Sequence, residues 1–102
     1  MSVLEVTKDT FEAEVINSEK QVLLDFFASW CGPCRMLAPV LEQISNEAPD
    51  IKVVKVNIDS EPELTSEYGV MSVPTLFAVK GGKVVNQVTG ALPKQYILDM
   101  FK

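Results

Sequence analysis

The stretch that decides the fold runs Gln21-Val22-Leu23-Leu24-Asp25-Phe26-Phe27-Ala28-Ser29-Trp30-Cys31-Gly32-Pro33-Cys34. Its first part, Gln21 to Ala28, is a near-continuous apolar run of strand formers, the pattern of a strand buried on both faces. It hands over to a helix from Gly32 to about Ala48, with Met36, Leu37, Val40, Leu41, Ile44 and Ala48 on one side. Pro33 suits the first turn, where a missing N–H is not needed. Pro39 lies inside the helix, removes the bond to the carbonyl of Arg35 and predicts a kink. Pro49-Asp50 ends it.

Working outward, Val3 to Val6 reads as a short strand. Lys8 to Ile16 reads as a helix with Phe11, Val15 and Ile16 on one face and Thr7 or Asp9 as its cap. Ile51 to Ile58 is another strand. Ser60-Glu61-Pro62-Glu63 has the form of a capping box and opens a short helix that stops at Gly69. Thr75 to Val79 and Val84 to Val88 are strands joined by Lys80-Gly81-Gly82-Lys83, a hairpin signal. Pro93 to Phe101 is a last amphipathic helix. The order β-α-β-α-β-α-β-β-α predicts an α/β fold: a central mixed sheet with helices on both faces, parallel in its first half.

A chain of 102 residues is long enough for one domain, expected over 1–102, with a real core. Lys plus Arg number 9 against 14 Asp plus Glu, a net charge of −5 with no basic run, so nucleic acid is not an expected partner. Histidine is absent, which excludes a His base and any His metal ligand. Met1-Ser2-Val3-Leu4-Glu5 has neither a basic nor an apolar leader region, and no apolar run is long enough for a bilayer. A cytoplasmic monomer without membrane attachment is the expectation.

Two cysteines remain, Cys31 and Cys34, in Trp30-Cys31-Gly32-Pro33-Cys34. The motif lies beyond the end of a buried strand, where α/β sheets form their ligand sites. Residues i and i+3 on a helix have Cβ atoms about 5–6 Å apart, close to disulfide range. Cys31 falls at the helix N-terminus, where free N–H groups and the helix dipole favour a thiolate. Cys34 lies one turn further in, so Cys31 is expected to be the more accessible of the two. A purely structural disulfide is the bland alternative, but a loop this short stabilises by only about 1.9 kcal/mol. Half a metal site completed by another chain, or two unrelated core cysteines, are further alternatives; the Gly-Pro between them at a helix start argues for redox chemistry, with no metal.

Asp25 is the second anomaly, a carboxylate among Val22, Leu23, Leu24, Phe26 and Phe27. Either the strand is an edge and Asp25 is wet, or it is buried with a raised pKa and serves as proton acceptor for Cys34. Lys55, between Val54 and Val56, is a candidate partner for it or a side chain reaching out to solvent. Val73-Pro74-Thr75 opens a strand with a proline, and base rates for such bonds favour trans. Trp30, Met71, Val73 and Ala91 are candidates for an apolar rim around the cysteines.

These stretches, together with Lys55-Val56-Asn57-Ile58-Asp59, Tyr68-Gly69-Val70-Met71-Ser72-Val73-Pro74-Thr75 and Gly90-Ala91, resemble a thioredoxin of bacterial type along essentially the whole chain. The resemblance implies the thioredoxin fold with a five-stranded sheet. It implies a nucleophilic Cys31, a resolving Cys34, Asp25 as a buried proton shuttle with Lys55 near it, and a cis Pro74 against the disulfide. Trp30, Gly32, Pro33, Val73 and Gly90 would line a substrate groove, Gly90 letting a substrate backbone come close. It further implies disulfide-containing protein substrates, no bound cofactor, and an NADPH-dependent flavoprotein thioredoxin reductase as partner. Gly-Pro between the cysteines matches the reducing members rather than the oxidases and isomerases, which usually carry His there. The rivals are an enzyme of opposite direction and a non-enzymatic accessory subunit using the same rim. Phe27 stands where bacterial members often have Trp, Thr89 where Val is usual, and the last helix ends early at Lys102.

Overall fold

A computed structural model describes residues 3–102; Met1 and Ser2, where the reading of a leader begins, lie outside the described residues. The chain order is β1 (Leu4–Glu5), α1 (Lys8–Phe11), β2 (Gln21–Phe27), α2 (Gly32–Glu47), β3 (Ile51–Asn57), α3 (Pro62–Glu67), β4 (Thr75–Lys80), β5 (Lys83–Thr89) and α4 (Lys94–Asp99). The strands form one sheet in the order β1-β3-β2-β4-β5. β1, β3 and β2 run parallel; β4 is antiparallel to β2 and β5 to β4. This is the mixed five-stranded sheet that the sequence predicts.

β2 takes the centre because every residue from Val22 to Phe26 can be buried. Alternation along it feeds two cores. Val22, Leu24 and Phe26 pack with Phe11, Val15, Val54, Val56, Leu64 and Phe77 on the α1 and α3 side. Leu23 packs with Leu37, Leu41, Ile44, Leu76, Ile97 and Met100 on the α2 and α4 side. Asp25 shares the face of Leu23, and therefore sits under α2.

Some boundaries differ from the sequence reading. The helix expected from Lys8 to Ile16 is α-helical only to Phe11; Glu12–Ile16 form a π turn closed by Asn17 N–H on the Glu12 carbonyl at 2.9 Å. Phe11 and Val15 are still buried together, since both turns present them to one core. The first strand shrinks to Leu4–Glu5, extended by Val6 N–H on the Lys55 carbonyl. α2 runs as one helix through Pro39.

The Ser60–Glu63 capping box does not form. Glu61 is the N-cap of α3, with Pro62 in its first turn, and Ser60 Oγ–H turns back to the Asn57 carbonyl. The carboxylates are engaged elsewhere: Glu61 accepts the Lys8 N–H at 2.9 Å and Glu63 pairs with Lys8 Nζ at 2.8 Å. In the hairpin, Gly82 has φ +78°, and a Cβ there would stand 2.8 Å from the Ile16 carbonyl oxygen. Lys80 Nζ donates to the Phe101 carbonyl at 2.7 Å and holds the chain end against the sheet. No helix among the described residues is long and apolar enough to cross a membrane.

Candidate active site

Cys31 and Cys34 are joined as a disulfide with Cα atoms 5.3 Å apart. Cys31 is the N-cap of α2, extended at φ −91° and ψ 115°, and the N–H of Cys34 donates to its Sγ at 3.2 Å. A sulfur thus occupies the position in which a capping oxygen is usual, where helix N–H groups stabilise negative charge. Gly32 and Pro33 form the first turn between them.

The expected difference in accessibility is not found. Both cysteines are buried, and the order is reversed: Cys31 is 4% exposed and Cys34 7%. The reason lies in the tertiary surroundings. Cys31 Sγ is closed off by the Val73 carbonyl oxygen at 3.7 Å. Cys34 borders an open pocket of about 570 Å³ between β2, β3 and α2. Accessibility therefore does not distinguish the two cysteines; they differ in their place on the helix, Cys31 at its N-cap and Cys34 within its first turn.

Asp25 lines that same pocket with Cys34, Arg35, Glu42 and Lys55. It is 4% exposed, which decides against a wet edge position, and its Oδ1 receives no hydrogen bond. Burial pushes its carboxyl up to about 7, with Lys55 pulling the other way. Lys55 is the register partner of Asp25 in the neighbouring strand. Its ammonium does not form an ion pair there; it lies over the Phe27 ring, 5.1 Å from the centroid. Lys55 is only half-buried.

The Val73–Pro74 bond is cis, as the resemblance implies and against the general preference for trans. Pro74 is buried, with Val73 packed against the cystine cluster. Thr75 Oγ1–H donates to the Ser72 carbonyl at 2.7 Å, and Gly90 N–H to the Pro74 carbonyl at 2.9 Å. Gly90 has φ +111°, and nothing lies within 4 Å of where its Cβ would be. Trp30 is 65% exposed and Met71 97%, with Ala91 also at the surface. Trp30, Gly32, Pro33, Val73, Pro74 and Gly90 thus lie on the loops and helix start at one end of the sheet.

Two partners were not anticipated from sequence. Asp59 Oδ2 accepts the Trp30 indole N–H at 2.9 Å, while the Asp59 N–H is held by Asn57 Oδ1 at 2.8 Å. Arg35 Nη1 donates to the Ser29 carbonyl at 2.9 Å, bracing the loop that precedes the cystine. The available signal was a carboxylate just after a strand that ends at the same edge of the sheet as Trp30.

Comparison with known proteins decides what this constellation belongs to. The thioredoxin family model matches residues 2–102. The chain belongs to the thioredoxin family. It is similar to the thioredoxin of Streptomyces clavuligerus, 55% identical over 93 residues, covering 91% of this chain and 87% of that one. Thioredoxin 1 of a Nostoc species is 53% identical over 91 residues, covering 88% and 85%. The thioredoxin of Pyropia yezoensis is 52% identical over 95 residues, covering 92% and 89%. Thioredoxins are thiol–disulfide oxidoreductases, and this thioredoxin-family chain carries the redox-active pair at Cys31 and Cys34.

Proposed function

We propose that this protein is a reductase of protein disulfides, acting as a single domain and a monomer in the cytoplasm. The observation that carries the reading is the cystine at the start of α2, its Cys31 sulfur capped by the Cys34 N–H. In the reduced protein that hydrogen bond and the helix dipole favour a Cys31 thiolate. The thiolate attacks one sulfur of a substrate disulfide; a Cys31–substrate disulfide forms and the other substrate sulfur leaves as a thiolate. Cys34 gives its proton to Asp25 and attacks Cys31 Sγ. The substrate's second sulfur leaves, two electrons have passed to the substrate, and the protein is left with the Cys31–Cys34 disulfide.

Asp25 suits the proton step because it shares a pocket with Cys34 and its carboxyl lies near neutrality. Lys55 moderates it. Trp30, Gly32, Pro33, Val73, Pro74 and Gly90 form the docking rim for an extended substrate segment, with the open space at Gly90 admitting its backbone. Reduction of the cystine for the next cycle is assigned to an NADPH-dependent flavoprotein thioredoxin reductase. The protein itself needs no bound cofactor for the exchange.

Trapping tests the division of labour. Cys34→Ser should accumulate mixed disulfides on Cys31, because the intramolecular resolving step is removed. Cys31→Ser should accumulate almost none. Equal trapping by the two variants on non-reducing gels would refute the assignment, and trapping on Cys34 alone would reverse it.

A further inference from the structure

Lys55 rises from β3 directly beside Asp25. Phe27 lies two residues along β2, on the same face as Asp25. The ammonium therefore has two places to go, the carboxylate and the ring, and it stands over the ring at 5.1 Å. That separation is within the cation–π range. No ion pair joins Lys55 to Asp25, and Asp25 Oδ1 is left without a donor.

The other charged or titratable groups facing the carboxyl come from α2: Cys34, Arg35 and Glu42. Cys34 is bound in the disulfide. Arg35 is engaged with the Ser29 carbonyl, and Glu42 accepts the Val3 N–H at 3.3 Å. From β4, the register partner is Leu76, which carries no charge. Lys55 is thus the charge near Asp25 whose placement a neighbouring side chain decides.

We propose that Phe27 is a positioning residue: its ring holds the Lys55 ammonium off Asp25 and thereby sets the proton affinity of that carboxyl. Its consequence for turnover rests on the proton-acceptor role proposed above for Asp25. An ammonium in contact would favour the carboxylate and draw its pKa down toward the ordinary range. Burial, only partly offset by the ammonium on the ring, leaves the carboxyl near neutrality.

The test is an NMR titration of the Asp25 carboxyl carbon in the oxidised protein, which needs no turnover. Phe27→Leu keeps an apolar side chain and removes the ring; the Asp25 pKa should fall by about half a pH unit. Phe27→Trp presents a stronger π face and should move it up. In a Lys55→Gln background Asp25 should titrate higher than in the wild type, and the Phe27→Leu shift should vanish. An equal shift in both backgrounds would show that Phe27 acts by excluding water, and would overturn the proposal. So would unchanged titration in both Phe27 variants. Thermal melts establish that each variant is folded, and one folded Phe27 variant is enough to decide. The pH profile of disulfide reduction is read separately: if it fails to follow Asp25 in the folded variants, the proton-acceptor role of Asp25 falls while the placement of Lys55 stands.

Discussion

The backbone N–H of Cys34 donates to the Sγ of Cys31 at 3.2 Å, so the two cysteines are linked through the helix start as well as through sulfur. The link is directional. Cys31 Sγ accepts from the helix N-terminus, and Cys34 lies within the first turn. When the disulfide is reduced, this difference favours charge on Cys31.

Alkylation of the reduced protein with iodoacetamide should therefore modify Cys31 at least about tenfold faster than Cys34 at pH 7. The rate for Cys31 should follow a pKa below the unperturbed thiol value of about 8.5. The outcome is informative because exposure in the oxidised state runs the other way. Peptide mapping that finds Cys34 modified first would remove the electrostatic argument.

Asp59 holds the only tryptophan of the chain. Asp59→Ala should free the Trp30 indole, lowering its fluorescence anisotropy and raising KM for a protein disulfide several-fold with little change in kcat. Asp59→Asn keeps an acceptor oxygen and should retain most of the wild-type behaviour. Because Asp59 is exposed, stability should change by no more than about 0.5 kcal/mol. Unaltered anisotropy in Asp59→Ala would show that packing alone orients the indole.

Asp25 should lower stability at neutral and alkaline pH. Its folded carboxyl, raised by burial from 3.8 to about 7, binds its proton more tightly than the unfolded one. Below the unfolded value both states are protonated and there is no penalty. As pH climbs through that window the folded state is progressively disfavoured, in full on the order of 4 kcal/mol. Asp25→Asn should therefore be more stable than the wild type in denaturant melts at pH 8, with most of the advantage lost by pH 4. Disulfide reduction should be slower in the same variant. An advantage independent of pH would contradict the buried acid.

Gly82→Ala should destabilise by about 1–3 kcal/mol. The φ of +78° disfavours a side chain, and the Cβ would meet the Ile16 carbonyl, backbone that cannot swing away. Urea melts should show a lower midpoint with an unchanged slope. A change under about 0.5 kcal/mol would mean that the hairpin shifts freely against the π turn.

Much of the site was legible because the relevant signals are local. Asp25 could be read as buried from its neighbours, since an apolar run flanking a carboxylate leaves it little room to be wet. Cys31 could be placed at a helix start because Gly32 and Pro33 announce one. The π turn at Glu12–Ile16 was not legible: the apolar pattern of Phe11, Val15 and Ile16 fits an α turn equally well. The capping box at Ser60 fails because Lys8, more than 50 residues away in sequence, engages both Glu61 and Glu63.

Periodicity and punctuation along the chain determined the order of strands and helices, the buried character of the Gln21–Phe27 strand and the position of the cysteine pair, because each depends on residues within a turn or two. Only the tertiary structure decided which cysteine is the more enclosed, since the Val73 carbonyl reaches Cys31 from a loop more than 40 residues away. It also decided where Lys55 puts its charge. The strand register sets its ammonium between a carboxylate and a ring, and the balance between them depends on distances in three dimensions that no local pattern encodes.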